Sequence, residues 1–327
     1  MRAMLCDSYG DIANLRLADV APPEISGDHD VLIDVAAAGV NFADTLMIGG
    51  TYQDKPPLPF SPGLEMSGTV RRCGAAVRRV KPGDRVMAVA SRGAFAEQAL
   101  AQETDVFPIP TDMDFVTAAG FPIAYGTSHG ALRWRADLQP GEFLLVHGAA
   151  GGVGLTAVEI GKAMGATVIA TAGEDEKLKV AAEHGADHLI NYRTQSIRDR
   201  VKEICKGGGA DVVYDPVGGS AFEASLRSVN WGARLILVGF ASGQVPQIPG
   251  NILLVKNISA IGFYWGSYRS RHPELLESEF KELFQWWREG KLRPHVSQQL
   301  PLANAQEALQ LLLHRRSTGK VVLTMAP

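Results

Sequence analysis

Apolar and polar positions follow two different rhythms along this chain. Through the first third, short runs such as Val31–Val40, Met66–Cys73 and Asp84–Ala90 are broken at close intervals by Gly, Pro and Asp. That spacing predicts an all-β domain over residues 1–121. From Phe143 the rhythm changes. Phe143–His147 reads as a buried strand and Val153–Met164 as an apolar-periodic helix; Thr167–Ala172, Asp187–Ile190, Asp211–Asp215, Ala233–Gly239 and Ile258–Phe263 follow, separated by helix-like stretches such as Asp175–His184. Short apolar runs alternating with helices predict an α/β segment built on a doubly wound parallel sheet, placed at 122–265. Beyond it, Leu276, Phe280, Leu283, Phe284 and Trp287 recur at helical spacing and stop at Gly290, the mark of a helix whose aromatic stripe is core. Asn304 and Glu307 have capping-box spacing ahead of another apolar helix. The last strand, Lys320–Met325, is expected to rejoin the first domain, so that 266–327 completes it.

The first strand of the parallel set runs into Gly148-Ala149-Ala150-Gly151-Gly152-Val153-Gly154. A strand that stops in a tight glycine turn at a helix start aims backbone N–H groups and the positive end of a helix dipole at one spot, which suits a pyrophosphate. Ala149, Gly151 and Gly154 stand at the three fingerprint positions of a dinucleotide site, and Gly152 and Val153 complete the turn.

Composition narrows the rest. The chain has 327 residues, 46% hydrophobic and 20% charged, with a formal net charge of −3. No run of like charge offers a footprint for nucleic acid or an anionic membrane. No apolar stretch reaches bilayer length, and the first residues lack the apolar segment of a signal peptide. Cys6, Cys73 and Cys205 are few and scattered, which fits a reducing, cytoplasmic setting and supplies no thiolate zinc lobe.

Between the early strands lie Gly39-Val40-Asn41-Phe42-Ala43-Asp44 and Gly63-Leu64-Glu65-Met66-Ser67-Gly68. Together with GVNFADTLMIGGTY, VKPGDRV, VHGAAGGVG and the terminal STGKVVL, these resemble the medium-chain dehydrogenase/reductase superfamily, and within it the zinc-free quinone oxidoreductase branch. The resemblance spans essentially the whole chain. It implies a GroES-like β domain joined to a Rossmann domain, and a homodimer made by pairing the sixth parallel strand across a two-fold axis. Zinc relatives draw their three metal ligands from positions that here carry Asn41, Leu64 and Ala119. An amide, an isobutyl group and a methyl make no catalytic zinc site. Without a metal, hydride transfer from a nicotinamide needs an acceptor that is already electron-poor, a quinone or a conjugated carbonyl.

The resemblance also suggests site residues. Asn41 matches a pocket-lining Asn and can hydrogen-bond the acceptor or the nicotinamide ribose, or serve only a turn. Tyr52 either donates to a quinone oxygen or packs. Thr127 matches a threonine near the nicotinamide, or bonds back to its own helix. Glu65 reads as a structural carboxylate. His129, with no carboxylate beside it in the sequence, reads as a packed or surface residue. For the cofactor, a carboxylate at the end of the second parallel strand would favour NADH, and Ala172 stands there, followed by Gly173. Lys177 and Tyr192 occupy places that relatives use for the 2′-phosphate, and Arg316 matches a further arginine of that kind. Glu174 is the contrary signal, since its count from Gly154 also suits an NAD acid. Phe240, at the end of the fifth strand, is either a wall of the nicotinamide pocket or a packing residue. The reading is an NADPH-dependent quinone oxidoreductase. Its alternatives are a C=C reductase of enals, enones or enoyl thioesters, and a non-catalytic NADPH-binding protein.

Overall fold

A computed structural model describes residues 1–325 and divides the chain into two compact units, one of Met1–Ile123 with the stretch from Pro294 onward, the other of Ala124–Arg293. In the first, β1 (Arg2–Cys6) and β2 (Leu15–Asp19) form an antiparallel pair. A larger sheet is built from β3 (Asp30–Val40), β4 (Glu65–Cys73), β5 (Arg85–Val89), β6 (Gln98–Gln102) and β7 (Val106–Pro108). The long β3 is buried on both faces and pairs antiparallel with both β4 and β6, which is why its sequence is a near-continuous apolar run. Ile33, Val35, Met66, Val86, Phe95 and Val106 share one core. The unit is not all-β: α1 (Phe42–Ile48) follows β3, and α2 (Phe115–Ala119) sets Ala119 against Ala37 and Val322.

The second unit opens within α3 (Pro122–Gly130). Its strands are β8 (Phe143–Val146), β9 (Thr167–Ala172), β10 (His188–Asn191), β11 (Ala210–Asp215), β12 (Val229–Leu237) and β13 (Ser259–Gly262). All pair in parallel, in the order β10-β9-β8-β11-β12-β13. Third-second-first-fourth-fifth-sixth is the order of a doubly wound dinucleotide fold, whose chain reverses direction beside the first strand. Helices α4 (Gly152–Ala163) and α5 (Asp175–Glu183) connect the first three strands. Leu145, Ile169, Val213 and Leu235 lie fully buried in one cluster with Phe222 and Val201.

The return to the first unit comes at Pro294, not at 266. The helix Pro273–Arg288 belongs to the second unit, because its buried Glu279 accepts from the Trp265 indole N–H at 2.9 Å and bonds the His129 ring at 3.1 Å. On that helix Trp286, rather than Trp287, joins Leu276, Phe280, Leu283 and Phe284 in the core. After it, β14 (Val296–Pro301) pairs in parallel with β15 (Lys320–Thr324), and β15 runs antiparallel to β3. Asn304 stands at the N-cap of the following helix without a side-chain capping bond; its side-chain amide instead donates to Glu307 Oε2 at 2.8 Å. No helix among the described residues is long and apolar enough to cross a membrane.

His129 is buried with a carboxylate on each ring nitrogen, Glu279 at 3.1 Å and Glu282 at 2.9 Å. Burial works against the charged ring, but the two carboxylates outweigh it and hold its pKa above the ordinary value. Burial also pushes Glu279 up to about 7. Both groups bind protons more tightly folded than unfolded. Their stabilisation is therefore fully present below their unfolded-state pKa values and fades as pH rises through the folded ones. His129→Gln, which keeps hydrogen-bonding capacity without the charge, should lose about 1.5–3 kcal/mol at pH 6. Urea unfolding at pH 6 and pH 9 checks this: the deficit should shrink at the higher pH, and an equal deficit at both would remove the imidazolium.

Candidate functional site

In the second unit, β8 ends at Val146 and the chain turns through Gly148 at φ 57°, a left-handed conformation that glycine adopts without penalty. The Ala149 amide donates to Thr171 O at 3.1 Å and the Gly151 amide to Gly148 O at 2.9 Å, so the turn is fixed at both ends. Gly151 is the N-cap of α4 and no side chain caps that helix. The first-turn amides of Gly152, Val153 and Gly154 therefore have no intrahelical acceptor. A Cβ on Gly154 would lie 2.2 Å from Gly148 O, so only glycine lets α4 start this close to the end of β8. An uncapped helix start folded tightly over a strand end is a seat for a pyrophosphate, and these residues fit one.

Neighbouring groups hold that seat. Ser128 Oγ donates to Val153 O at 2.8 Å and meets Thr156 Oγ1 at 2.8 Å and the Tyr214 hydroxyl at 2.9 Å. Thr127 is buried just before it. His147, fully buried, bonds Thr171 Oγ1 at 2.9 Å and Ser225 Oγ at 2.7 Å. Burial holds its pKa below the ordinary value, so the ring is neutral. At the same sheet edge Asp215 Oδ1 accepts from the Val217 and Gly218 amides at 2.8 and 2.9 Å. The loop after β12 is hydrogen-bonded to that turn through the Ala241 and Ser242 amides, and the half-exposed Phe240 lies over Gly218.

At the end of β9 stands Ala172, a methyl where a ribose-gripping acid would be. The Tyr192 amide donates to Ala172 O at 3.1 Å. Lys177 Nζ lies 3.3 Å from Glu174 Oε2, and the Arg193 guanidinium 3.6 Å from Glu174 Oε1. Gly173, Lys177 and Tyr192 are thus gathered at one strand end, with Arg193 as a cation that sequence reading missed; its place directly after Tyr192 was the available signal.

The first unit carries a separate buried cluster. Lys320 Nζ donates to Asn41 Oδ1 at 2.6 Å and Val40 O at 3.0 Å, and lies 2.8 Å from Glu65 Oε1. Asn41 Nδ2 donates to the same Glu65 oxygen at 2.9 Å, while Glu65 Oε2 accepts from the Ile123 amide at 2.8 Å. Asn41 is engaged at both ends of its amide inside the protein, which fixes the junction of β3 and α1. Asp44 Oδ2 accepts from the Asn41 amide at 2.8 Å, its other oxygen is buried with no hydrogen-bond partner among the described residues, and burial pushes its pKa up to about 7. Tyr52 is half-buried against the core of this unit. Arg316 is exposed on the turn between the last helix and β15 of the first unit, whereas Lys177 and Tyr192 belong to the second. No cluster of three or more His, Cys, Asp or Glu able to hold a metal exists among the described residues.

Residues 27–111 match the alcohol dehydrogenase GroES-like domain and residues 152–286 the zinc-binding dehydrogenase model. Quinone oxidoreductase-like protein 2 of Mus musculus is 41% identical over 99% of this chain and 92% of its own length. Quinone oxidoreductase of Homo sapiens is 34% identical over 99% and 98%. The chain belongs to the quinone oxidoreductase branch of the medium-chain dehydrogenase/reductase superfamily. The Escherichia coli quinone oxidoreductase, solved in complex with NADPH, superposes with a TM-score of 0.93 at 30% identity, covering 99% of this chain and all of that one. Membership in this branch accounts for the glycine turn of β8 and α4. It leaves the ionic groups around Glu174 and Lys320 to be explained from this chain's own residues.

Proposed function

We propose that this chain is an NADPH-dependent quinone oxidoreductase that works without zinc. The observation that carries the cofactor choice is the end of β9, where Ala172 stands in place of the strand-end acid and a phenol, an ammonium and a guanidinium gather, the two cations held by Glu174. That the Escherichia coli relative is solved with NADPH supports the same choice. When bound, the nicotinamide supplies a hydride. The protein's part is to seat the pyrophosphate on the amides of Gly152, Val153 and Gly154, with Gly151 as the N-cap that opens the helix and Ala149 buried in the turn before it. It fixes the turn through Ser128 and orients the nicotinamide end with Thr127 and Phe240. Arg316 and Tyr52 are proposed in the roles the family gives them, a phosphate cation and a hydrogen-bond donor to the acceptor.

The metal-free part rests on the donor set. The position between Asn41 and Glu65 is filled by the Lys320 ammonium, which already neutralises the carboxylate. These residues do not fit zinc. With no Lewis acid, the acceptor must be electron-poor before it binds, which selects quinones and conjugated carbonyls. Three free cysteines and a net charge of −3 fit a cytoplasmic protein. We also propose a homodimer through β13, which ends the parallel sheet near the exposed Leu254 and Val255; sedimentation equilibrium giving the mass of a single chain would refute it.

A steady-state comparison of a benzoquinone, a linear enal and an enoyl thioester, each with NADPH and with NADH, tests the reading. Fastest turnover is expected for the quinone with NADPH. An enal or thioester turned over far faster than every quinone would make the protein a C=C reductase, and binding of NADPH without oxidation across the panel would make it a non-catalytic binder.

A further inference from the structure

The end of β9 holds more than a row of cations. Glu174 directs its carboxylate at both of them, 3.3 Å from Lys177 Nζ and 3.6 Å from the Arg193 guanidinium. A Cβ on the preceding Gly173 would lie 2.8 Å from the Tyr192 hydroxyl and 3.1 Å from Arg193 Nε, so both side chains close over that residue. The loop that carries them is pinned. The Arg193 amide donates to Asn191 Oδ1 at 3.0 Å, and Asn191 Nδ2 donates to Asp175 Oδ1 at 2.6 Å. An ammonium and a guanidinium therefore meet one carboxylate, beside a phenol. Those donors are the set that recognises a phosphate. The anion they hold in this chain is its own.

We propose that Glu174 is an internal stand-in for the 2′-phosphate of NADPH. It keeps Lys177 and Arg193 gathered and gives them up to the incoming phosphate, so that Glu174 and Arg193 together set how strongly the protein prefers NADPH over NADH. The inference rests on the NADPH reading above. Its physical basis is a competition for the same donors. A phosphate monoester brings about −1.5 to −2 charges and three acceptor oxygens, against one charge and two oxygens for the carboxylate. The phosphate wins the donors, and the displaced carboxylate remains nearby as a repulsive charge. The Glu174 and Arg193 side chains are 49% and 64% exposed, so each is free to swing, whereas Lys177 at 21% is the fixed point of the site.

The test is calorimetric titration of the full chain with NADPH, NADH, 2′,5′-ADP and 5′-AMP, for the wild type, Glu174→Gln and Arg193→Met. Glu174→Gln should tighten NADPH and 2′,5′-ADP about fivefold while leaving NADH and 5′-AMP within about twofold, the scale of one partly exposed ionic interaction. Arg193→Met should weaken only the two phosphorylated ligands, by roughly tenfold. Glu174→Gln weakening NADH would mean that the carboxylate grips the ribose diol, and would overturn the proposal. So would four unchanged constants in that variant, or an Arg193→Met effect equal for phosphorylated and unphosphorylated ligands. Wild type binding 2′,5′-ADP no tighter than 5′-AMP is a different failure: it removes the NADPH reading itself, and this inference with it.

Discussion

Gly154→Ala is expected to cost the protein at least roughly tenfold in dinucleotide affinity, the equivalent of one charge-assisted hydrogen bond to the pyrophosphate. Alanine is the better helix former, so propensity alone would make the change stabilising by about 1 kcal/mol. The contact decides otherwise. The new methyl would sit 2.2 Å from Gly148 O and 2.8 Å from Gly148 C, both backbone atoms that cannot swing away. Either α4 retreats from β8 or the Gly148 turn moves, and both displace the amides that face the pyrophosphate. Overpacking of this kind costs about 1–3 kcal/mol in stability as well. Gly151→Ala provides the graded comparison, because its Cβ would meet the same oxygen at 3.3 Å and need only a small adjustment. Titration with NADPH should therefore rank wild type, Gly151→Ala and Gly154→Ala in falling affinity. Equal affinity for wild type and Gly154→Ala would show that the turn is not where the cofactor is held.

Lys320→Met should destabilise the first unit by about 3–5 kcal/mol, the usual cost of stripping the partner from a buried charge. Glu65 is fully buried, and Lys320 Nζ is the cation beside it, also bonded to Asn41 Oδ1 and Val40 O. Without the ammonium, the carboxylate stays behind with the buried Asp44 on the helix that begins beside Asn41. In a thermal melt the unfolding transition of the first unit should fall by roughly 10 °C. The double variant Glu65→Gln/Lys320→Met removes both charges and should recover most of the loss, since the penalty comes from an unpaired charge and not from a missing bond. If Lys320→Met melted within a degree or two of wild type, the ammonium would not be holding this cluster.

How far each of these features could be read from the sequence depended on how local its cause is. Strand β9 coincides with the run Thr167–Ala172 because a parallel strand covered on both faces reads as a near-continuous apolar run, here Val168 to Ala170 and Ala172 with Thr171 buried among them. The glycine turn was legible for the same reason, since its backbone geometry restricts which residues can stand there. The all-β reading of the first unit missed α1 and α2 because both are only one or two turns long. The Lys320, Asn41 and Glu65 cluster joins residues 279 positions apart, and no local pattern announces it. His129 likewise finds its carboxylates 150 and 153 residues away, which is why it read as a lone histidine. The late return at Pro294 followed from that same contact, which draws the helix Pro273–Arg288 into the second unit. Family position makes Asn41 a candidate site residue, and no local pattern announces that its amide also bonds Glu65 and Lys320.

The most direct measurement is equilibrium titration of the purified chain with NADPH and NADH, followed by the enhancement of nicotinamide fluorescence. The account predicts saturable binding of one NADPH per chain, tighter than NADH by about tenfold or more, with the bound nicotinamide oxidised on adding a benzoquinone in the presence of excess chelator. Tighter binding of NADH, no binding of either nucleotide, or oxidation that stops when zinc is removed would contradict it.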